Sequence, residues 1–207
     1  MGKRVLVACE YSGTVRNAFA ALGHDAWSCD LLPTESLGNH IQGDVLAVIN
    51  DGSWDLMIAH PPCTHLAVSG AAWFAEKIQQ QAEALAFVRA LMNAPIPMIA
   101  IENPVSVIST RIRKPDQVIQ PYHFGHMERK TTCLWLKNLP RLVHKTEWGR
   151  KVDALPKAQQ NPLHYLPPSP DRGHLRSKTY QGIADAMATQ WGAWELYTPE
   201  LLAIANR

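Results

Sequence analysis

Short apolar runs of strand length recur along this chain and alternate with runs of helical period. Val5 to Ala8, Leu56 to Ala59 and Met98 to Ile101 are almost wholly apolar. Such a run, with no polar alternation, suits a strand covered on both faces. Between these runs, Thr14 to Leu22 places Val15, Ala18, Phe19 and Leu22 on one helical face and stops at Gly23, while Ala72 to Asn93 reads as a long helix rich in Ala, Gln, Glu and Leu. Asp25 to Cys29 reads as a further strand closed by Asp30. Asp44-Val45-Leu46 begins a short helix reaching Ile49, Thr132 to Leu136 is a late strand, and Ile183 to Trp191 a late helix. Alternation of this kind predicts a mostly parallel α/β sheet with helices on both faces. The 207 residues suit a single domain. The stretch 137–179 is rich in Pro, Lys, Arg and His and weakly periodic, so it reads as an irregular basic insert rather than a second domain.

Composition narrows the function classes. No apolar run approaches the ~18 residues of a membrane span. The apolar stretch after Met1-Gly2-Lys3-Arg4 is too short for a signal peptide and soon meets Glu10. The four cysteines are widely spaced and include no CxxC pair, which argues against a zinc ribbon and a disulfide scaffold. No His/Cys set has ligand spacing, so metal catalysis is not indicated. A reducing cytoplasm is the expected setting. Net charge is only +2, but Lys and Arg concentrate in the second half. That half either faces phosphates or is an ordinary solvated surface.

Two strand ends carry reactive groups. Leu56 to Ala59 leads through His60-Pro61-Pro62 to Cys63, and Met98 to Ile101 leads to Glu102-Asn103-Pro104. An isolated Cys is usually a small buried hydrophobe, and a Glu before Pro is usually a loop residue or cap. The pair says more than either member: a thiol and a carboxylate, each at a strand end beside proline, suit a nucleophile and a proton donor facing one substrate. His60 either orients the catalytic turn or packs beneath it. His65, Trp73 and Phe74 follow closely, and helical aromatics more often belong to the core than to a site.

The first strand–turn–helix carries Glu10-Tyr11-Ser12-Gly13. A glycine there lets a ligand approach the backbone, and the helix start offers free N–H groups. An acid closing the second strand, here Asp30, hydrogen-bonds ribose in nucleoside-binding α/β folds, and Asp44 follows at the next strand region. The GxGxxG pattern is absent. An adenosine-containing cofactor without phosphates, S-adenosylmethionine, fits better than a dinucleotide.

With these residues in place the sequence resembles the cytosine-C5 DNA methyltransferase family, and most of all its short, phage-type members. The catalytic Pro-Cys motif matches Pro62-Cys63, with Ser69-Gly70 downstream, and the Glu-Asn motif matches Glu102-Asn103. The cofactor turn is similar to Ala8–Val15, with Asp30 and Asp44 at the ribose and adenine positions. A basic motif is similar to Arg129-Lys130-Thr131-Thr132, and a closing helix motif to 182–188. The resemblance implies a doubly wound, Rossmann-like, S-adenosylmethionine-dependent methyltransferase fold. It implies Cys63 as nucleophile at cytosine C6, Glu102 on N3 and the exocyclic amine, and Arg129 or Lys130 on the base carbonyl or a phosphate. It further implies Pro61, Ala184 and Asp185 at the cofactor. One glycine stands where the family has several, and Pro104 follows the Glu-Asn. The 137–179 insert is short for reading several base pairs. DNA binding is therefore expected to be weakly selective or partner-assisted. Two alternatives stand beside this reading: modification of a free or single-stranded pyrimidine nucleotide, and a non-catalytic nucleic-acid-binding subunit of the same fold.

Overall fold

The computed structural model describes residues 2–51, 53–69 and 77–195. Its centre is a seven-stranded sheet of order β3-β2-β1-β4-β5-β7-β6. The strands are β1 (Arg4–Ala8), β2 (Asp25–Asp30), β3 (Asn39–Gln42), β4 (Leu56–Ala59), β5 (Met98–Pro104), β6 (Gln117–Ile119) and β7 (Thr132–Lys137). The pairs from β3 to β5 are all parallel, and β7 runs antiparallel to both β5 and β6. This is the doubly wound, mostly parallel α/β fold that the alternation of runs predicts.

The side-chain period of a strand divides the core into two layers. Val5, Val7, Leu56 and Ile58 face one side, where α1 (Thr14–Ala21) and α7 (Gln181–Gly192) cover them with Val15, Phe19, Met187 and Trp191. Leu6, Ala8, Met57 and Ala59 face the other, under Val88 and Leu91 of α2 (Ile78–Met92). All eight strand residues are fully buried. Each large aliphatic among them contributes about 1.5–3 kcal/mol by leaving water. Burial on both faces is why these strands read as unbroken apolar runs.

Two strands escape the sequence reading, and both lie at sheet edges. β3 is Asn39-His40-Ile41-Gln42, with no fully buried residue, and β6 is three residues long. Edge strands need no apolar face on both sides, so the pattern that marks β1 and β4 is missing. The long helix is described from Ile78, not Ala72. Gly70, Ala72, Trp73 and Phe74 lie outside the described residues. The 137–179 insert is more regular than expected. It holds α4 (Gly149–Asp153), α5 (Lys157–Gln160) and α6 (Arg172–Ser177), and it buries Leu139, Leu142, Val152 and Gln160. The remaining short helix, α3 (Ile108–Arg111), follows β5. Among the described residues no helix is long and apolar enough to cross a membrane, and no group of three or more His, Cys, Asp or Glu could hold a metal ion.

The topology positions a cleft. From β1 the chain winds outward to β2 and β3, then returns to β4 on the opposite side. Ligands in open α/β sheets bind outside the carboxyl ends of the strands at such a reversal. His60 and Cys9 therefore leave adjacent strands at its floor.

Candidate active site

The turn after β4 is held from several directions. The His60 amide donates to the Ala8 carbonyl at 2.9 Å, which extends the β1–β4 pairing by one step. Asn103, 1% exposed, donates from Nδ2 to the Pro61 carbonyl at 2.8 Å. The Cys63 carbonyl accepts from the Leu66 and Ala67 amides at 3.0 and 2.9 Å, closing a helical turn behind the thiol. Ala67 then bridges to Ser106 in the loop beyond β5. The pairing of β4 with β5 stops at Ala59–Ile101, whereas β5 continues to Pro104 against β7. Glu102 and Asn103 thus overhang β4, on the side where the Pro61-Pro62-Cys63 turn passes.

Glu102 meets His60 there. Nδ1 of His60 and Oε2 of Glu102 are 3.0 Å apart, with the side chains 11% and 17% exposed. A carboxylate only accepts, so Nδ1 carries the hydrogen and donates. Burial pushes the Glu102 carboxyl up. The His60 hydrogen bond, the His60 charge and Lys130 together outweigh burial and hold it below the usual carboxylate range. Nε2 of His60 is buried and has no hydrogen-bond partner among the described residues.

Cys63 is a free thiol on a residue open to solvent. Nucleophilic reactivity calls for a depressed thiol pKa, yet the thiol is pushed up. Partial burial is the main cause and the Glu102 charge the next, offset in part by the Cys63 backbone amide, Lys130 and Arg176. The Lys130 ammonium is pushed down, chiefly by burial, against the pull of Glu102 and Cys63. Its Nζ donates to the Lys178 carbonyl at 3.1 Å. Cys63, Glu102 and Lys130 therefore form one electrostatically coupled group. Arg129 points elsewhere: its guanidinium pairs with Asp153 of α4 and lies over the Tyr122 ring at 5.4 Å. The adjacent basic residues divide their work because successive positions leave the chain in different directions.

The cofactor turn differs from its sequence reading in what its groups touch. Glu10 is 5% exposed, and its carboxylate accepts from the Val15 amide at 2.7 Å, the Arg16 amide at 3.2 Å and the Ser12 hydroxyl at 3.2 Å. The first N–H groups of α1 are thus occupied from within. Gly13 is required by its left-handed φ of 74° and by crowding: a Cβ there would meet Ser36 Oγ at 2.1 Å and Arg16 Nη2 at 2.4 Å. The space that a side chain at this position would take is filled by Ser36 and Arg16. Arg16, 1% exposed, spends its guanidinium on Ser28, Thr34, Ser36, Leu37 and Asn39, and so ties the β2–β3 loop to α1. Nothing in the helical period of Thr14–Leu22 marks Arg16 as buried.

Asp30 accepts from the Leu32 amide through Oδ1 at 2.9 Å, and Asp44 accepts from the Leu46 amide at 2.9 Å. Among the described residues the second oxygen of each accepts no hydrogen bond. Both carboxylates lie near Cys9, whose thiol is raised to about 12 by burial first, then by Asp30, Cys29 and Asp44. A hydroxyl-bearing group without phosphate fits this end of the sheet. Two carboxylates there can accept from hydroxyls, and the helix start that would hold a phosphate is already filled by Glu10. Ala184 and Asp185 are placed differently. Ala184 is fully buried in the core beneath α7, and the Asp185 carboxylate takes a hydrogen bond from Gln181 on its own helix at 2.7 Å.

The insert returns across the cofactor turn. The Tyr11 hydroxyl lies 2.6 Å from His174 Nδ1 and 3.3 Å from the Ser177 hydroxyl. His174 Nε2 and Lys178 Nζ both reach the Glu35 carboxylate, at 3.1 and 3.0 Å. These partners are far apart along the chain, so only the folded state reveals α6 as a cover over the strand-end cleft.

Comparison with known proteins adds little. No family model matches the chain, and no curated protein matches it. A solved structure from E. coli, which carries the description of a DNA modification methyltransferase encoded within a prophage, matches at 13% identity and a TM-score of 0.43. The match covers 64% of this chain and 45% of that one, so this chain spans less than half of that structure. At that score the likeness bears no weight.

Proposed function

We propose that this protein transfers a methyl group from S-adenosylmethionine to C5 of cytosine in DNA, through a covalent bond between Cys63 and C6. One observation carries the reading: a solvent-reachable thiol on a turn pinned by Asn103, beside a buried carboxylate, Glu102, that overhangs it from the next strand. C5 of cytosine is a poor nucleophile. Attack of the Cys63 thiolate on C6 forms the Sγ–C6 bond and moves the ring electrons toward N3, so that C5 becomes electron-rich once N3 accepts a proton. Glu102 is the group placed to deliver that proton and to accept from the exocyclic amine. When bound, S-adenosylmethionine supplies an electrophilic methyl, and Asp30 and Asp44 are the residues suited to its ribose and adenine. Loss of the C5 proton and of the Cys63 sulfur then restores the enzyme.

The raised thiol fits this sequence of events. Sharing of the Glu102 charge with N3 removes a cause that opposes thiolate formation, so Cys63 gains reactivity when a cytosine is in place and stays protonated when the site is open. Lys130, coupled to both groups, suits the base carbonyl or an adjacent phosphate. Arg129 suits a role through the insert. The base has to be flipped out of a duplex or presented single-stranded. The second reading, a free or single-stranded pyrimidine nucleotide, is favoured by the insert itself. Its helices span only four to six residues, and α6 is engaged with Tyr11 and Glu35 rather than presented to a groove.

The test is trapping. With S-adenosylmethionine, DNA carrying 5-fluorocytosine should leave a protein–DNA adduct on a denaturing gel, because fluorine at C5 cannot leave as a proton. Cys63→Ser should leave none. Equal behaviour of the two proteins would remove the covalent mechanism. Trapping by a 5-fluoro-dCMP competitor, with no trapping by duplex, would shift the substrate to the nucleotide.

A further inference from the structure

The geometry around Glu102 leaves a question of supply, and it rests on the cytosine reading just given. The carboxylate has to give a proton to N3, yet its surroundings keep it ionised. The groups facing it are His60 at the end of β4, Cys63 on the following turn, Lys130 before β7 and Cys133 on β7. Lys130 is already engaged, its Nζ donating to the Lys178 carbonyl. His60 stands in direct hydrogen-bond contact with Glu102 at 3.0 Å, on an adjacent parallel strand, with its ring almost wholly buried. Its amide is bonded to the Ala8 carbonyl, which fixes the main chain that carries the ring. Its second nitrogen, Nε2, is buried and has no hydrogen-bond partner among the described residues. A histidine kept only to orient Glu102 would need one nitrogen, and a glutamine would serve as well.

We propose that His60 is a positioning residue that holds the proton Glu102 passes to the cytosine ring, so that the pair works as a single acid. In the loaded pair the ring carries hydrogens on both nitrogens and Glu102 is a carboxylate. As the Cys63 thiolate forms the Sγ–C6 bond, the C5–C6 π pair becomes the C4–C5 π pair and the N3–C4 π pair moves onto N3. Glu102 takes the proton from Nδ1 and passes it to N3, which leaves Glu102 a carboxylate again and His60 a neutral imidazole with its hydrogen on Nε2. On elimination the Sγ–C6 bond breaks, the electrons return, and the proton goes back along the same path. The thiol proton leaves to solvent before attack and returns after it. No oxidant or further reactant is needed.

This predicts an alkaline limb that belongs to the pair rather than to Glu102 alone. The assay is exchange of the cytosine C5 hydrogen for deuterium without any cofactor, on dCMP and on a single-stranded cytosine oligonucleotide, followed by mass spectrometry across pH. Exchange needs only adduct formation, protonation at C5 and elimination. His60→Gln keeps a hydrogen-bond donor toward Glu102 but cannot store a proton. Its alkaline limb should move to lower pH by about one unit or more, a loss of roughly tenfold on the alkaline side, with recovery toward the wild-type rate in acid. A variant that is uniformly slower with an unmoved limb, or one that matches the wild type, would overturn the proposal and leave His60 a packing residue. A limb that moves in Lys130→Gln but not in His60→Gln would also overturn it, in favour of the lysine. No exchange by the wild type on either substrate would bring down the cytosine reading and this proposal together. Exchange that keeps its limb in His60→Gln would bring down this proposal alone. If His60→Gln fails to fold, ring-nitrogen NMR of the free protein decides: Glu102→Gln should make His60 lose its charge at lower pH than in the wild type, and an unchanged titration would overturn the pairing.

Discussion

Glu10 offers a sharp test of how the cofactor turn is built. Its position after β1 suggests a ligand-facing carboxylate, but the structure employs that carboxylate as the cap of α1. In Glu10→Ala the Val15 and Arg16 amides lose their acceptor, and both sit where water has little access. A hydrogen bond to a charged group is worth about 1.5–3 kcal/mol, and a buried donor left unsatisfied costs a further share of its desolvation. Loss of a negative charge at the helix start costs about 0.3–1 kcal/mol more. Together these predict destabilisation of about 3–5 kcal/mol, or a fall in Tm of roughly 6–20 °C for a domain of this size. Glu10→Gln keeps one acceptor oxygen but turns an amine toward the other amide, so it should fall about midway. The assay is urea unfolding followed by circular dichroism, where the midpoint should drop with little change in slope. Glu10→Gln as stable as the wild type to within about 0.5 kcal/mol, together with lost S-adenosylmethionine binding, would refute the cap and return Glu10 to the ligand.

Asp30→Ala should weaken S-adenosylmethionine binding by about 1.5–3 kcal/mol for each ribose hydrogen bond lost, read by calorimetry, while unfolding stability changes little. The His123 and His144 rings stack at 3.8 Å, and burial together with His144 lowers His123 to about 4. The unfolded chain therefore binds more protons than the folded one between pH ~6.5 and ~4, and stability should fall as pH falls through that window. His123→Phe should remove this slope in chemical unfolding at stepped pH, and an unchanged slope would place the acid sensitivity elsewhere. Neutralising Arg150 and Lys151 together should weaken DNA binding about equally for all duplexes and reduce the salt dependence in filter binding. Selective loss at one short site would instead make the insert a reader of sequence.

The amino-acid sequence by itself determined the doubly wound sheet and the location of its reactive strand ends. β1, β4 and β5 are legible because burial on both faces demands unbroken apolar runs, and because proline and glycine mark where those runs must stop. The strand-end positions of Cys63 and Glu102 are legible for the same reason, since where an apolar run stops is a local property of the chain. β3 and β6 are not legible, since an edge strand carries no such demand. Tertiary structure alone decided which groups face one another. The Glu102–His60 contact joins residues 42 positions apart, and the Tyr11–His174 contact joins residues 163 apart. Hydrogen bonds and charge act over a few ångströms of space and leave no periodic trace along the chain. The fold likewise decided that Glu10 faces inward, that Arg16 is buried among carbonyls, that Arg129 turns to the insert while Lys130 stays with Glu102, and that α6 lies across the cofactor turn.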